Sequence, residues 1–139
     1  MSYDIFVQDL PPGATKIEDI PATFKPAPLG RRSEIIRQIE KVVPTAEFSN
    51  PAWGCIRGDD WSIEVNIGTS DECFGFALHV RGGDEAFGVV AAILQAMNLR
   101  ALDPQAGGFF VANAAALESF RKWRAYRDQV AGDGQQPTD

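Results

Sequence analysis

Side chains that commonly carry catalysis or bind metal ions are scarce in this sequence. Among 139 residues there is one histidine, His79, and there are two cysteines, Cys55 and Cys73. Two cysteines do not build a disulfide framework or a zinc site, so we expect two free thiols in a reducing compartment. Because one histidine with a few carboxylates is a thin ligand set, we expect neither a metal nor another cofactor.

Long apolar runs and positive charge are scarce as well. No stretch approaches the ~18 apolar residues of a membrane-spanning helix, and the opening MSYDIFVQDLPPG lacks the basic and apolar regions of a secretion signal. The formal net charge is −6. Nucleic acids and anionic membranes attract positive charge, so neither is expected as the main partner. These features predict a cytoplasmic protein.

The composition nevertheless suits one folded domain. Hydrophobic residues make up 45% of the chain and charged residues 23%, which are ordinary values for a globular protein with a real core. The length also fits a single domain. We expect this domain to span residues 1–131, and we expect the polar tail 132–139 to be disordered.

Hydrophobic periodicity predicts a mixture of strands and helices. Residues 3–8 alternate as a half-buried strand, and residues 31–43 place apolar side chains at helical spacing before Pro44. Residues 61–68 and 73–80 alternate on either side of a short polar turn, which predicts an antiparallel hairpin. The remaining predicted elements are a loop over 45–51, a short strand over 53–57, a largely apolar helix over 85–98, a strand over 100–103, a return strand over 109–112 and an amphipathic helix over 113–130.

This order of elements predicts an α+β fold of the ferredoxin-like, split βαβ kind. An antiparallel sheet would carry two helices on one face, and the C-terminal helix would be an addition. Strand alternation assigns one set of side chains to the helix-covered face, including Phe74, Phe76, Leu78 and Val80, and it places Cys73 on the other face with His79. The opposite face is expected to carry Asp4, Phe6, Gln8, Ser62, Glu64, Asn66, His79 and Arg81.

The most motif-like stretch is HVRGGD, residues 79–84. Gly82 and Gly83 permit backbone angles that other residues resist, and Asp84 is a natural N-cap for the following helix. Asp84 and Glu85 place negative charge at that helix N-terminus, which opposes phosphate binding. We therefore interpret the stretch as a junction between a strand and a helix.

Two kinds of function stay open. A small-molecule binder or enzyme would use the exposed sheet face, walled by the irregular connection 11–30. Arg81 would hold an anionic group, His79 would move a proton, and Asp4 and Glu64 would assist. The favoured alternative is a non-enzymatic interaction module that associates with itself or with a partner protein, because no catalytic set converges. Its candidate interaction residues are Phe6, Phe120, Trp123 and Tyr126.

The helix predicted over 113–130 is the one locally basic region. It carries four basic residues, Arg121, Lys122, Arg124 and Arg127, against two acidic ones. Its apolar stripe would dock on the domain, cover the open sheet face or meet a partner. Stacking of its aromatic residues on nucleic acid is disfavoured by the acidity of the whole chain.

Several segments together resemble a family of small bacterial proteins of uncharacterised function. They are MSYD, PAWG, SIEVNIG, HVRGGD and ALDPQAG, and they cover roughly residues 1–110. The resemblance implies a bacterial, cytoplasmic α+β domain and implies no activity. A looser similarity to small immunity-type proteins rests on size, acidity and the D-P-x-x-G turn, and it implies that acidic residues meet a basic toxin surface.

Overall fold

The computed structural model of the protein describes residues 2–82 and 84–110, together with Ala125 and Gln129. Within these residues the chain forms a 7-stranded antiparallel sheet, with helices packed on one face and a 2-stranded sheet beside it. The predicted α+β class is therefore confirmed. The predicted helix 113–130 lies outside the described residues except at Ala125 and Gln129, which are helical and exposed. The tail 132–139 also lies outside them.

The described elements follow a simple order along the chain. They are β1 (Tyr3–Gln8), a 3₁₀ turn (Ile17–Asp19), β2 (Gly30–Arg31), α1 (Arg32–Val42), β3 (Glu47–Asn50), β4 (Trp53–Arg57), β5 (Ser62–Asn66), β6 (Glu72–Cys73), β7 (Gly75–Arg81), α2 (Asp84–Met97), β8 (Ala101–Asp103) and β9 (Gly108–Phe109). The large sheet has the order β3-β4-β5-β7-β1-β8-β9, and β2 pairs with β6 separately. The large sheet exceeds that of a ferredoxin-like domain, because β3, β4 and β9 extend it.

The core lies between one face of the large sheet and the two helices. Every second side chain of the central strands is buried there, because successive residues of a strand point to opposite faces. In β1 these are Tyr3, Ile5 and Val7. The helices supply Ile35, Ile39, Ala86, Val90, Ile93 and Leu94 to the same cluster.

The alternation predicted over residues 73–80 is wrong at its start. Phe74 was expected in the core and is 51% exposed, whereas Cys73 was expected on the opposite face and is 3% exposed. Cys73 belongs to β6, which pairs with Gly30 and Arg31 rather than with β5. The strand is interrupted at Phe74, and the phase of the alternation changes there. The loop predicted over residues 45–51 is also wrong, since β3 occupies most of it.

Gly82 makes the turn from β7 towards α2. Its φ is +103°, and a Cβ there would lie 2.3 Å from the backbone oxygen of Asp60 and 2.4 Å from Cα of Trp61. The Trp61 indole donates a hydrogen bond of 3.2 Å to Glu85 at the start of α2. Glycine is therefore required at position 82 by both the backbone angle and the closeness of the β4–β5 turn.

Two polar side chains hold the end of the sheet near β8. The Arg100 guanidinium donates to the backbone oxygens of Leu10 (3.0 Å), Pro11 (2.5 Å) and Ala14 (2.8 Å). Asp103 is 1% exposed and accepts a 2.7 Å hydrogen bond from the hydroxyl of Tyr3. These contacts tie β8 to β1 and to the connection that follows β1.

β3 forms one outer edge of the large sheet. Its Ser49 amide donates a 3.1 Å hydrogen bond to the Glu47 carboxylate, and the Ser49 hydroxyl donates to the same oxygen. These bonds, the hydroxyl bond first, lower the pKa of Glu47. The edge therefore carries a negative charge at neutral pH. One of its backbone N–H donors, that of Ser49, already has an acceptor.

Candidate functional site

The large sheet has a second face, turned away from the helices, which we call the open face. The side chains predicted for this face lie there, and they are partly or largely exposed. Phe6 is 39% exposed, and the outward-facing Trp53 of β4 is 43% exposed. Single exposed apolar side chains are ordinary, but two accessible aromatic rings on one face of a sheet raise the question of a contiguous apolar patch, which makes this face the first candidate for a functional surface.

Strand register aligns a set of polar side chains across the open face, and we call it the polar row. It runs from β3 to β1 through Glu47, Cys55, Glu64, His79 and Asp4. Neighbours in the row are directly opposite one another on adjacent strands, where side chains can interact. The row therefore brings together three of the four predicted polar site residues and adds Glu47 and Cys55.

Asp4 and His79 form a close pair in this row. The Nδ1 atom of His79 lies 2.8 Å from Oδ1 of Asp4, and the Ser2 hydroxyl donates to the same carboxylate oxygen. The His79 ring also stacks on the Trp53 indole, with ring centroids 5.7 Å apart and an interplanar angle of 17°. Carboxylate and indole together hold the imidazole in one orientation on the surface.

Arg81 belongs to a different pair. Its Nη1 donates a 2.6 Å hydrogen bond to Oε1 of Glu64, and the Arg81 side chain is 42% exposed. His79 and Arg81 thus each contact a separate carboxylate. The expected cooperation, in which Arg81 would hold an anionic group while His79 moves a proton, is not supported, because each side chain is engaged with its own carboxylate.

A shallow depression of about 380 Å³ lies next to Arg81. It is lined by Cys55, Arg57, Gly58, Asp59, Asp60, Trp61, Ser62, Glu64 and Arg81. The Arg57 Nε donates to the Cys55 sulfur at 3.2 Å. His79 is not among the lining residues, and three carboxylates here outnumber the two guanidinium groups, so the depression is not a cationic pocket for an anion.

A second set of aligned side chains, the apolar row, runs parallel to the polar row. It passes from β4 to β9 through Trp53, Asn66, Ala77, Phe6, Leu102 and Phe109. Only Asn66 in this row is polar. The row therefore forms an apolar band across six strands, with the most exposed rings at Trp53 and Phe6.

The apolar row contains a depression of about 340 Å³ above β7. It exists because the outward side chains of β7 are small here, at Gly75 and Ala77, whereas the neighbouring strands carry Phe6, Gln8 and Asn66. Position 75 is further restricted, since a Cβ there would lie 2.9 Å from the backbone oxygen of Val7. The depression is near the lower end of the about 300–1,000 Å³ found for ligand pockets, and it suits a single large side chain.

The largest of these depressions, about 610 Å³, lies between α2 and the β9 end of the sheet, and it shares Phe109 with the apolar row. It is lined by Ala14, Thr15, Ala91, Leu94, Gln95, Leu99, Arg100, Phe109 and Phe110. Its one charged group, Arg100, is already bonded to three backbone oxygens. It therefore offers apolar surface and one guanidinium whose bonded acceptors are all uncharged.

The other expected interaction residues, Phe120, Trp123 and Tyr126, lie outside the described residues. Within residues 2–82 and 84–110, no three histidine, cysteine or acidic side chains group together as a metal site would require. In the same part of the chain, no helix has the length and apolar character needed to cross a membrane. The chain matches no protein-family model, no curated protein and no solved structure.

Proposed function

We propose that the protein is a non-enzymatic interaction module whose open face binds an amphipathic helix bearing aromatic residues. The observation that carries this proposal is the depression above Gly75 and Ala77 within the apolar row. It would accept one aromatic ring of the bound helix. Phe6 and Trp53, on either side of it, would lose their contact with water on binding.

Spacing favours a helix lying across the strands. Side chains three or four residues apart on a helix are about 5–6 Å apart, and neighbouring strands are about 4.8 Å apart. A helix along the apolar row would therefore place roughly one side chain above each strand. Of the three carboxylates in the adjacent polar row, Glu64 is already paired with Arg81 and Asp4 with His79, so a preference for basic residues in the bound helix rests on Glu47 at the β3 end.

The immunity-like version of this function has the same physical basis. A basic partner surface would meet the carboxylates of the polar row, while its apolar part would cover Phe6 and Trp53.

We also propose that β5-β7-β1-β8 with α1 and α2 is a ferredoxin-like unit to which β3, β4 and β9 were added. The antiparallel order of these four strands supports that proposal.

The alternative is a small-molecule binder or enzyme that uses Asp4, Glu64, His79 and Arg81. The orientation of the imidazole by Asp4 and Trp53 is the observation in its favour. The separate pairing of Arg81 with Glu64 speaks against it. The four side chains fit better as the polar border of an interaction surface, in which ion pairs set the orientation of the partner.

Filling the depression tests the proposal. We expect Ala77→Trp to weaken helix binding at least tenfold, because the new ring occupies the space of the ligand's aromatic side chain. Ala77 is half-buried on the open face, so the core is not altered. A displayed library of amphipathic helical peptides, selected on the full chain, provides ligands whose dissociation constants are then measured on both proteins.

Ser62→Trp is the matched control. Ser62 lies on the same face but outside this depression, in the 380 Å³ depression beside Arg81. Selected helices should bind this variant as tightly as they bind the unaltered chain. If Ala77→Trp has no effect, or if only Ser62→Trp weakens binding, the open face does not work through the proposed depression.

A further inference from the structure

We propose that the 610 Å³ depression between α2 and the β9 end of the sheet binds a small amphipathic carboxylate, in which one anionic group ends an apolar body. We call this site the Arg100 depression. It shares none of its described lining residues with the depression above Gly75 and Ala77. The proposal therefore goes beyond helix binding and does not depend on it.

The first support is the size of the Arg100 depression and the chemistry of its walls. A volume of about 610 Å³ lies within the range of about 300–1,000 Å³ found for ligand pockets. The apolar members of the wall are Ala14, Ala91, Leu94, Leu99, Phe109 and Phe110. Burial of an apolar body against them is favourable, because it removes apolar surface of both molecules from water.

The second support is the position of the Arg100 guanidinium in that wall. Its Nη1 atom donates a 2.8 Å hydrogen bond to the backbone oxygen of Ala14, and its Cζ lies 5.4 Å from the centroid of the Phe109 ring. Ala14 and Phe109 both line the depression. The charged end of Arg100, and not only its aliphatic stem, therefore lies beside the apolar residues of the wall.

The third support is that nothing in the described chain neutralises this charge. The acceptors of Arg100 are three backbone carbonyl oxygens, which carry no formal charge. The ion pairs within residues 2–82 and 84–110 join Asp4 to His79 and Glu64 to Arg81, so Arg100 has no carboxylate partner there. A ligand carboxylate would provide the missing charge.

Arg100 also retains the donors for such a ligand. A guanidinium has five N–H groups, and the three carbonyl oxygens use two on Nη2 and one on Nη1. The Nε donor and the second Nη1 donor have no acceptor among the described residues. Hydrogen bonds between two ionised groups are the strong ones, and apolar surroundings strengthen them further.

The other polar residues of the wall are compatible with an anion. No acidic residue is among the described lining residues, so a carboxylate would meet no like charge in the wall. The Thr15 hydroxyl is engaged with Asp19, which is not itself a lining residue. The Gln95 side chain is exposed and makes no hydrogen bond within the described part of the chain, so its amide can donate to a carboxylate oxygen at the rim.

A titration with three probes that share one tail tests the proposal. The probes are octanoate, octan-1-ol and octylammonium, each added below its micelle-forming concentration to the ¹⁵N-labelled full chain and followed by NMR. We expect octanoate to bind more tightly than either of the others by about tenfold or more. The largest amide shifts should include those of Ala91, Phe109 and Phe110. Added salt should weaken the binding of octanoate and not that of octan-1-ol.

Two substitutions of Arg100 separate its charge from its role in holding the connection after β1. Arg100→Gln removes the charge, whereas Arg100→Lys retains it, and neither keeps all three bonds to the backbone oxygens. We expect Arg100→Gln to bind octanoate no more tightly than octan-1-ol, and Arg100→Lys to retain the preference for octanoate. Circular dichroism establishes that both variants fold.

A second pair of variants tests the cavity without altering Arg100. Ala91→Phe places a ring in the Arg100 depression and should weaken octanoate binding by about tenfold or more. Ala92→Phe is the matched control, because Ala92 is the next residue of α2, is exposed and does not line the depression. It should bind octanoate as tightly as the unaltered chain.

Each contrary result overturns the proposal. Equal affinity for octanoate and octan-1-ol in the unaltered chain would define an apolar site with no anion recognition. A preference for octanoate that persists in Arg100→Gln would exclude Arg100 as the anion-binding group. Octanoate binding that Ala91→Phe leaves unchanged, or amide shifts confined to the open face, would place the ligand elsewhere. None of these results affects the helix-binding function, which Ala77→Trp tests separately.

Discussion

Gly82→Ala is expected to destabilise the protein by about 3 kcal/mol or more. The backbone at this position has φ of +103°, which residues with a Cβ rarely adopt. The added methyl would also lie 2.3 Å from the Asp60 oxygen and 2.4 Å from Cα of Trp61. Both contacts are with backbone atoms, so no change of side-chain rotamer relieves them.

The matched control is the same substitution at Gly88. Gly88 lies inside α2, and a Cβ there meets no atom within 4 Å. Alanine at a helix interior is favoured over glycine by about 0.5–1 kcal/mol, so Gly88→Ala should stabilise the protein. Urea unfolding of the two variants measures both effects. A Gly82→Ala variant as stable as the unaltered chain would contradict the described turn between β7 and α2.

Asp103→Ala should also be destabilising, by about 1–3 kcal/mol. The Asp103 carboxylate is 1% exposed and accepts hydrogen bonds from the Tyr3 hydroxyl at 2.7 Å and from the Ala106 amide at 3.2 Å. Truncation removes an acceptor from the Tyr3 hydroxyl and leaves a cavity between β1 and β8. Chemical denaturation measures the loss, and Tyr3→Phe, which keeps the ring, should cost less.

The same carboxylate predicts a dependence of stability on pH. Burial raises the pKa of Asp103, and hydrogen bonds from Tyr3 and Ala106 offset only part of that increase. The folded protein therefore binds this proton more tightly than the unfolded chain, whose ordinary value is 3.8. The resulting stabilisation is complete below the unfolded pKa and is lost as the pH rises through the folded one.

Asp103→Asn isolates this dependence, because its side chain does not titrate. The difference in unfolding free energy between the unaltered chain and this variant should move in favour of the unaltered chain as the pH falls from neutral towards the unfolded pKa. Measurements of both proteins at each pH cancel the contribution of the other carboxylates. A difference that does not change with pH would show that the Asp103 environment is not as apolar as described.

Local alternation was sufficient to place the polar site residues on one face. Asp4, Glu64 and His79 occupy outward positions of three strands whose inward positions are consistently apolar, so period two assigns their direction without any knowledge of pairing. Which of them meet could not be predicted this way. The pairs Asp4–His79 and Glu64–Arg81 depend on strand register and rotamer, and β1 is some 70 residues away from β7 along the chain.

The errors in the sequence prediction arose where pairing partners are distant or patterns are short. Cys73 pairs with Gly30, and this contact interrupts the alternation that had been extended through Phe74. β3 has 4 residues and one partly buried side chain, so it lacks a periodic signal. The small side chains under the depression above β7 are visible in the sequence, since Gly75 and Ala77 are successive outward positions of a central strand. The residues that surround the depression come from neighbouring strands, so they could be identified only from the structure.

The hydrogen bonds between Glu47 and Ser49 oppose the addition of a further strand at the β3 edge. A sheet with a free edge is a template on which further copies can add strands without limit. At β3 an incoming strand would have to displace the Glu47 carboxylate from the Ser49 amide and bury its charge. Edge-to-edge growth is therefore opposed at β3. We expect this edge to resist the addition of further strands even at high protein concentration.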